Sequence, residues 1–224
     1  MNWSLAAYSA LAWAAQPLLR RKLRRRAQAE PGYGESVGER FGRYAPADLG
    51  HDGAGHWVWV HAVSLGETRA AALLIAELRA ALPGMRLLLT NGTATGRAEG
   101  RKLLQPGDLQ VWQPWDSPQA VRRFLRQFRP AVGVLMETEI WPNLVAGCHQ
   151  AGVPLVLANA RLNPKSLAGA QRWPALFGPT YAALRAVWAQ SQEDAERLRS
   201  LGAPVQAVLG NLKFDVQPDA QLLA

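Results

Sequence analysis

From residue 57 to residue 209 the chain repeats one pattern: a short β-branched or Leu-rich run, a polar loop, then a stretch of helical periodicity. Strands are expected over 57–63, 85–90, 109–113, 131–136, 153–158, 186–190 and 205–209. Helices are expected over 67–82, 95–104, 117–128, 141–151, a longer 164–185 region and 192–201. This alternation predicts an α/β fold with a Rossmann-like, mostly parallel sheet and helices on both faces, because each right-handed crossover lays a helix against the sheet. Such sheets bind ligands outside the carboxyl ends of their strands. Four polar loops fall there, at 61–68, 90–96, 136–143 and 159–161.

The 224 residues, 49% of them hydrophobic, suffice for one large domain with a substantial core. Of the net charge of +8, Arg20, Arg21, Lys22, Arg24, Arg25 and Arg26 supply six, leaving +2 for the rest. Basicity is therefore local. A nucleic-acid-binding domain spreads Lys and Arg over a folded face, whereas a cluster beside an apolar run suits anionic lipid head groups, so no nucleic-acid partner is expected.

The apolar run is 1–19, uncharged, with Trp3, Leu5, Tyr8, Leu11, Trp13, Leu18 and Leu19 as its bulk. As one helix it reaches ~28 Å at ~1.5 Å per residue, near the thickness of a bilayer's hydrocarbon core. Its Ala-rich composition, diluted by Asn2, Ser4, Ser9 and Gln16, suits an in-plane helix equally well. Charge follows the run instead of preceding it, unlike a cleaved signal peptide, and the positive-inside rule leaves the following domain cytoplasmic. The expected organisation is a membrane-anchoring helix with basic flank over 1–26 and a connector over 27–56 with a helical piece near 37–42. A Rossmann-like lobe then spans 57–215, with a tail over 216–224. Cys148, the one cysteine, permits no intrachain disulfide and no thiol-rich metal site. His51, His56, His61 and His149 lack metal-ligand spacing.

Glu67 stands where the first strand gives way to a helix, behind the small turn Ser64-Leu65-Gly66. A carboxylate there serves either as general base toward an acceptor hydroxyl or as the first-turn acid of a capping box with Ser64. Glu137 and Glu139 end the apolar run 131–136 and point to the same side if the strand continues; they then repel unless cations, a proton or a ligand intervene. A helix-start acidic cluster, a glycosidase pair or a magnesium site also fits their spacing. The loop 90–96, with small residues and hydroxyls ahead of a helix, resembles a phosphate cradle without matching a named fingerprint. Arg161, Lys213 and the arginines Arg122, Arg123, Arg126 and Arg129 are cations suited to phosphate or carboxylate, or simply solvated.

In order, the motifs His61-Ala-Val-Ser-Leu-Gly-Glu-Thr68, Thr93-Ala-Thr-Gly96, Met136-Glu-Thr-Glu-Ile-Trp-Pro-Asn143, Ala158-Asn-Ala-Arg-Leu162, Ala189-Gln-Ser-Gln-Glu-Asp194 and Gly210-Asn-Leu-Lys-Phe-Asp215, with Gly38-Glu-Arg-Phe-Gly42, resemble one family. It is the 3-deoxy-D-manno-octulosonic acid (Kdo) transferases of lipopolysaccharide core biosynthesis. The resemblance implies a GT-B glycosyltransferase of two Rossmann-like lobes. Such an enzyme transfers Kdo from CMP-Kdo to a lipid A precursor, with inversion, at the cytoplasmic face of the inner membrane. It implies Glu67 as general base and Glu137 and Lys213 as transition-state stabilisers. Ser64, Gly66, Glu39, Arg40, Thr95 and Arg161 are implied on the acceptor side, and no cofactor or metal is implied.

In the family the donor CMP-Kdo is held mainly by a C-terminal lobe, and this chain ends soon after the 210–215 motif. The donor lobe is therefore expected to be missing, with 216–224 its beginning. The segment 1–26 would then hold the cleft beside a membrane-embedded acceptor, on anionic inner-membrane lipids. The alternative expectation is a non-catalytic, membrane-associated protein that binds lipid A precursor or acts as a scaffold.

Overall fold

A computed structural model describes residues 3–45 and 57–214. The end of the connector, residues 46–56 with His51 and His56, lies outside the described residues, as does the tail from 215 onward.

Seven parallel strands form one sheet: β1 (Trp57–His61), β2 (Arg86–Asn91), β3 (Leu109–Trp112), β4 (Val132–Met136), β5 (Leu155–Ala160), β6 (Ala186–Ala189) and β7 (Val205–Val208). Their order is β3-β2-β1-β4-β5-β6-β7. The chain winds outward from β1 to one edge, then returns to lay β4 beside β1 and winds to the other. Strand order thus reverses between β1 and β4, where doubly wound sheets open a crevice.

Side chains alternate across each strand, so the buried runs feed two cores. Trp57 and Trp59 of β1 face one side, packed with Phe124 and Phe128 of α5 (Pro118–Phe128), Leu144 of α6 (Pro142–Gln150), Tyr181 of α8 (Pro174–Ala182) and Leu198 of α9 (Gln192–Ser200). Val58 and Val60 face the other, against Ala70, Ala71 and Ile75 of α3 (Leu65–Ala81). Helix α4 (Ala94–Arg101) follows β2. The expected 164–185 helix is two, α7 (Pro164–Gln171) and α8, because Pro174 biases Trp173 out of the helical region; Trp173 ends with ψ 59.

The N-terminal segment corrects the expectation of one membrane-anchoring helix. It forms α1 (Trp3–Ala14) and α2 (Gln16–Ala29), interrupted where Pro17 removes an N–H from the ladder. Among the described residues no helix is long and apolar enough to cross a membrane. Helix α1 packs on α6 and α8, yet leaves Trp3, Leu11 and Trp13 exposed. Two cations of the basic cluster meet the domain's own rings: Arg20 lies 3.7 Å over Phe41 and Arg26 5.3 Å over Tyr33. The connector's helical piece is a 3-10 turn, Val37–Phe41, preceded by a second at Pro31–Gly34.

Candidate active site

The loop after β1 turns directly into α3. Ser64 takes the extended backbone of an N-cap, and its hydroxyl accepts from the Glu67 N–H at 3.3 Å while donating to Glu67 Oε1 at 2.9 Å. Glu67 Oε2 in turn accepts the Val63 N–H at 2.8 Å. The capping reading of Glu67 is met in part: Ser64 caps the helix, while the carboxylate reaches back to the N–H of Val63, one residue before the N-cap, and to the Ser64 hydroxyl. The same bonds fix a buried carboxylate at the carboxyl end of β1, and burial raises its pKa above the ordinary range against the pull of its Val63 and Ser64 bonds. A raised carboxylate is a better proton acceptor once ionised, so the two readings of Glu67 are compatible.

Neighbouring loops are pressed against this turn. Gly96, in the first turn of α4, lies so close that an added Cβ would sit 2.9 Å from Val63 O and 3.0 Å from the Ser64 carbonyl carbon, so only glycine fits. Thr93 caps α4 and also donates to Val63 O at 3.1 Å. Asn91 holds the base of both loops, its amide donating to Ala62 O at 2.8 Å and to Thr68 Oγ1 at 3.0 Å.

At the end of β4 the strand does not continue. Glu137 adopts a left-handed backbone, φ +54°, so Glu137 and Glu139 stand on a turn and not on one strand face. The cations that two close acids require are present for Glu137: Lys213 Nζ lies 2.8 Å from Oε1 and Arg161 Nε 3.4 Å from Oε2. Lys213 arrives on a one-turn 3-10 helix, Leu212–Phe214, after β7. Its ammonium hangs over Gly66, 3.8 Å from where a Cβ there would be. Glu139 instead accepts from Trp141 Nε1 at 2.8 Å, and burial, with Glu67 and Glu137 nearby, pushes its pKa up to about 7. Glu67, Gly66, Glu137 and Lys213 therefore converge at the reversal point between β1 and β4. Among the described residues no group of three His, Cys, Asp or Glu side chains is placed to hold a metal ion.

The sequence model of the family described as 3-deoxy-D-manno-octulosonic-acid transferase (kdotransferase) matches residues 35–216. The chain belongs to this family. A 3-deoxy-D-manno-octulosonic acid transferase of Bordetella pertussis is 46% identical over 198 residues, covering 83% of this chain and 46% of the relative. One of the same name from Haemophilus influenzae is 29% identical over 225 residues, covering 96% and 50%. A probable mitochondrial one from Arabidopsis thaliana is 36% identical over 139 residues, 60% of this chain and 30% of the relative. The chain spans about half the length of the first two curated relatives.

Within the chain the residues expected on the acceptor side divide. Ser64 and Gly66 form the turn itself, Arg161 flanks Glu137, and Thr95 is exposed on the first turn of α4. Glu39 and Arg40 make internal contacts. Glu39 Oε2 accepts from the Trp112 N–H at 2.7 Å and from Arg97 at 3.1 Å. Arg40 is buried over Trp112 at 3.9 Å and donates to Gly92 O at 3.0 Å, with burial lowering its pKa to about 10. Arg40 thus braces the loop after β2, and Glu39 ties the connector to β3 and α4. His61 is a core residue, 2.7 Å from Thr90 Oγ1, and burial lowers its pKa to about 3.

Two positioning residues escaped sequence reasoning. Asn159, with φ +51°, accepts the Leu212 N–H at 3.2 Å and its amide meets Asn211 Oδ1 at 3.4 Å, tying the Lys213 turn to the end of β5. Its signal was an Asn closing an apolar run, a residue type that tolerates left-handed backbone. Asp116 accepts from the Asn143 and Leu144 N–H groups at 3.0 and 2.8 Å, capping α6, whose own N-cap residue Trp141 offers no side-chain bond. No local spacing reveals a cap supplied from so far along the chain.

Proposed function

We propose that this chain is the acceptor lobe of a two-lobed GT-B glycosyltransferase that transfers Kdo from CMP-Kdo to a lipid A precursor with inversion. The observation that carries the proposal is the convergence of Glu67 with the Glu137–Lys213 pair at the strand-order reversal. The Glu67 carboxylate takes the proton of an acceptor sugar hydroxyl, and the freed oxygen attacks the anomeric carbon of Kdo from the face opposite the leaving CMP. The C–O bond to the phosphate breaks, and its electron pair leaves with CMP. Lys213, oriented by Glu137, offsets the negative charge of the sugar acid and of the departing phosphate. CMP-Kdo is held by a second lobe, for which the longer curated relatives have length.

The acceptor carries lipid, and α1 and α2 suit a membrane surface. Trp3, Leu11, Trp13 and Leu18 are all exposed, as are Arg21, Lys22, Arg24 and Arg25 of α2, a combination that favours in-plane binding to anionic inner-membrane lipids at the cytoplasmic face. The test is Kdo transfer from CMP-Kdo to lipid A precursor by this chain co-expressed with the C-terminal half of the Bordetella pertussis relative. Product formation is expected. Binding of lipid A precursor with no transfer by the folded, paired protein would contradict the proposal and favour a scaffold.

A further inference from the structure

A groove of about 970 Å³ is lined by residues of α1, α5 and α6, among them Ser9 and Asn143, and by Arg129 just past α5. None of the cleft residues Glu67, Glu137 and Lys213 lines it, nor does any residue of the basic cluster on α2. Leu5 and Ala6 from α1, Val121 and Leu125 from α5 and Ala146 from α6 give it an apolar stretch, which the uncharged polar side chains Ser9, Asn143 and Gln150 interrupt. Helices α5 and α6 touch at its floor, where a Cβ on Gly147 would lie 2.6 Å from Val121.

One rim is strongly cationic. Arg122, Arg126 and Arg129 are exposed there, and among the described residues none of the three forms an ion pair. No Asp or Glu lines the groove, and α1 carries no charged residue at all. Three exposed guanidiniums with no ion pair among the described residues, beside a trough without acidic side chains, match an amphiphile with an anionic head. The planar forks suit phosphate oxygens, and the trough suits an alkyl chain.

We propose that this groove binds one anionic glycerophospholipid, its phosphate held by Arg122, Arg126 and Arg129 and an acyl chain lying along Leu5, Val121 and Ala146. The site is independent of the sugar-transfer reading, and it adds a discrete lipid to the diffuse attraction of the α2 cluster. A bound lipid would bridge α1 to the α5–α6 layer that stands against the sheet.

The test is calorimetric titration of the chain with monomeric dihexanoyl phosphatidylglycerol, below its micelle-forming concentration. Binding of one equivalent is expected, with dihexanoyl phosphatidylcholine and inorganic phosphate each at least about tenfold weaker. The triple variant Arg122→Gln, Arg126→Gln, Arg129→Asn should weaken binding by about tenfold or more at an unchanged melting midpoint. Asn is chosen at 129 because that residue has φ +43°. Ala146→Phe, which blocks the trough and keeps every charge, should weaken binding as well. Neutralising Arg21, Lys22, Arg24 and Arg25 should leave it unchanged. Equal affinity for the phosphatidylcholine, phosphate binding as tight as the lipid, or loss of binding only on neutralising the α2 cluster would each overturn the proposal.

Discussion

Lys213 Nζ lies 2.8 Å from Glu137 Oε1, joining the turn after β7 to the carboxyl end of β4. The Glu137 side chain is 5% exposed while that of Lys213 is 45% exposed, so the buried acid depends on the cation more than the reverse. Lys213→Met should therefore destabilise the domain by about 1 kcal/mol in urea unfolding, solvent screening included. Glu137→Gln combined with Lys213→Met should recover most of that loss, because no buried charge is left without its partner. Additive losses in the double variant would show that the pair is not coupled.

Substitution can separate the capping role of Glu67 from the base role proposed for it. Glutamine keeps an oxygen for the Val63 N–H and a polar partner for Ser64. Alanine removes both and should cost about 1 kcal/mol of stability. Thermal or urea unfolding of Glu67→Gln and Glu67→Ala checks this; equal stability of the two would remove the capping role.

Glu139 is raised from 4.5 to about 7 by burial and by its acidic neighbours. A folded-state pKa above the unfolded value means that the folded protein binds the extra proton. Stability from this group is full below pH 4.5 and is lost as pH rises through about 7. Glu139→Gln should accordingly gain on the order of 1 kcal/mol relative to wild type at pH 8 and nothing at pH 4. Urea unfolding at both pH values decides it; a pH-independent difference would contradict the assignment.

Asp116 joins three elements: it caps α6 through Asn143 and Leu144, and the Tyr8 hydroxyl of α1 bonds to it. Burial lifts its pKa to about 6 against those bonds. Asp116→Ala leaves two helix N–H groups without acceptors and should cost about 1–3 kcal/mol. Tyr8→Phe should instead loosen α1 alone, seen as faster amide exchange in α1 with α6 protected. Unfolding midpoints and hydrogen exchange together measure both effects.

The sheet was legible because its strands are short apolar runs separated by amphipathic helices, a pattern local enough to survive in sequence. The strand end at Met136 was visible too, but the direction of Glu137 was not, since it depends on a left-handed backbone held by cations from β5 and the turn after β7. The break at Pro17 was under-read: apolar composition suggested one helix where the missing N–H makes two. Glu39 and Arg40 belong to a recognisable motif, yet their contacts with Trp112 and Gly92 arise only after the connector folds over β3. Spacing along the chain carries local structure well and long-range pairing poorly.

The measurement that bears most directly on the central claim is kcat for Kdo transfer to lipid A precursor by the paired protein, wild type against Glu67→Gln. With folding verified by an unchanged melting midpoint, the account predicts a loss of at least about a hundredfold, the usual contribution of a positioned general base. Retention of wild-type turnover by the folded Glu67→Gln protein would contradict it.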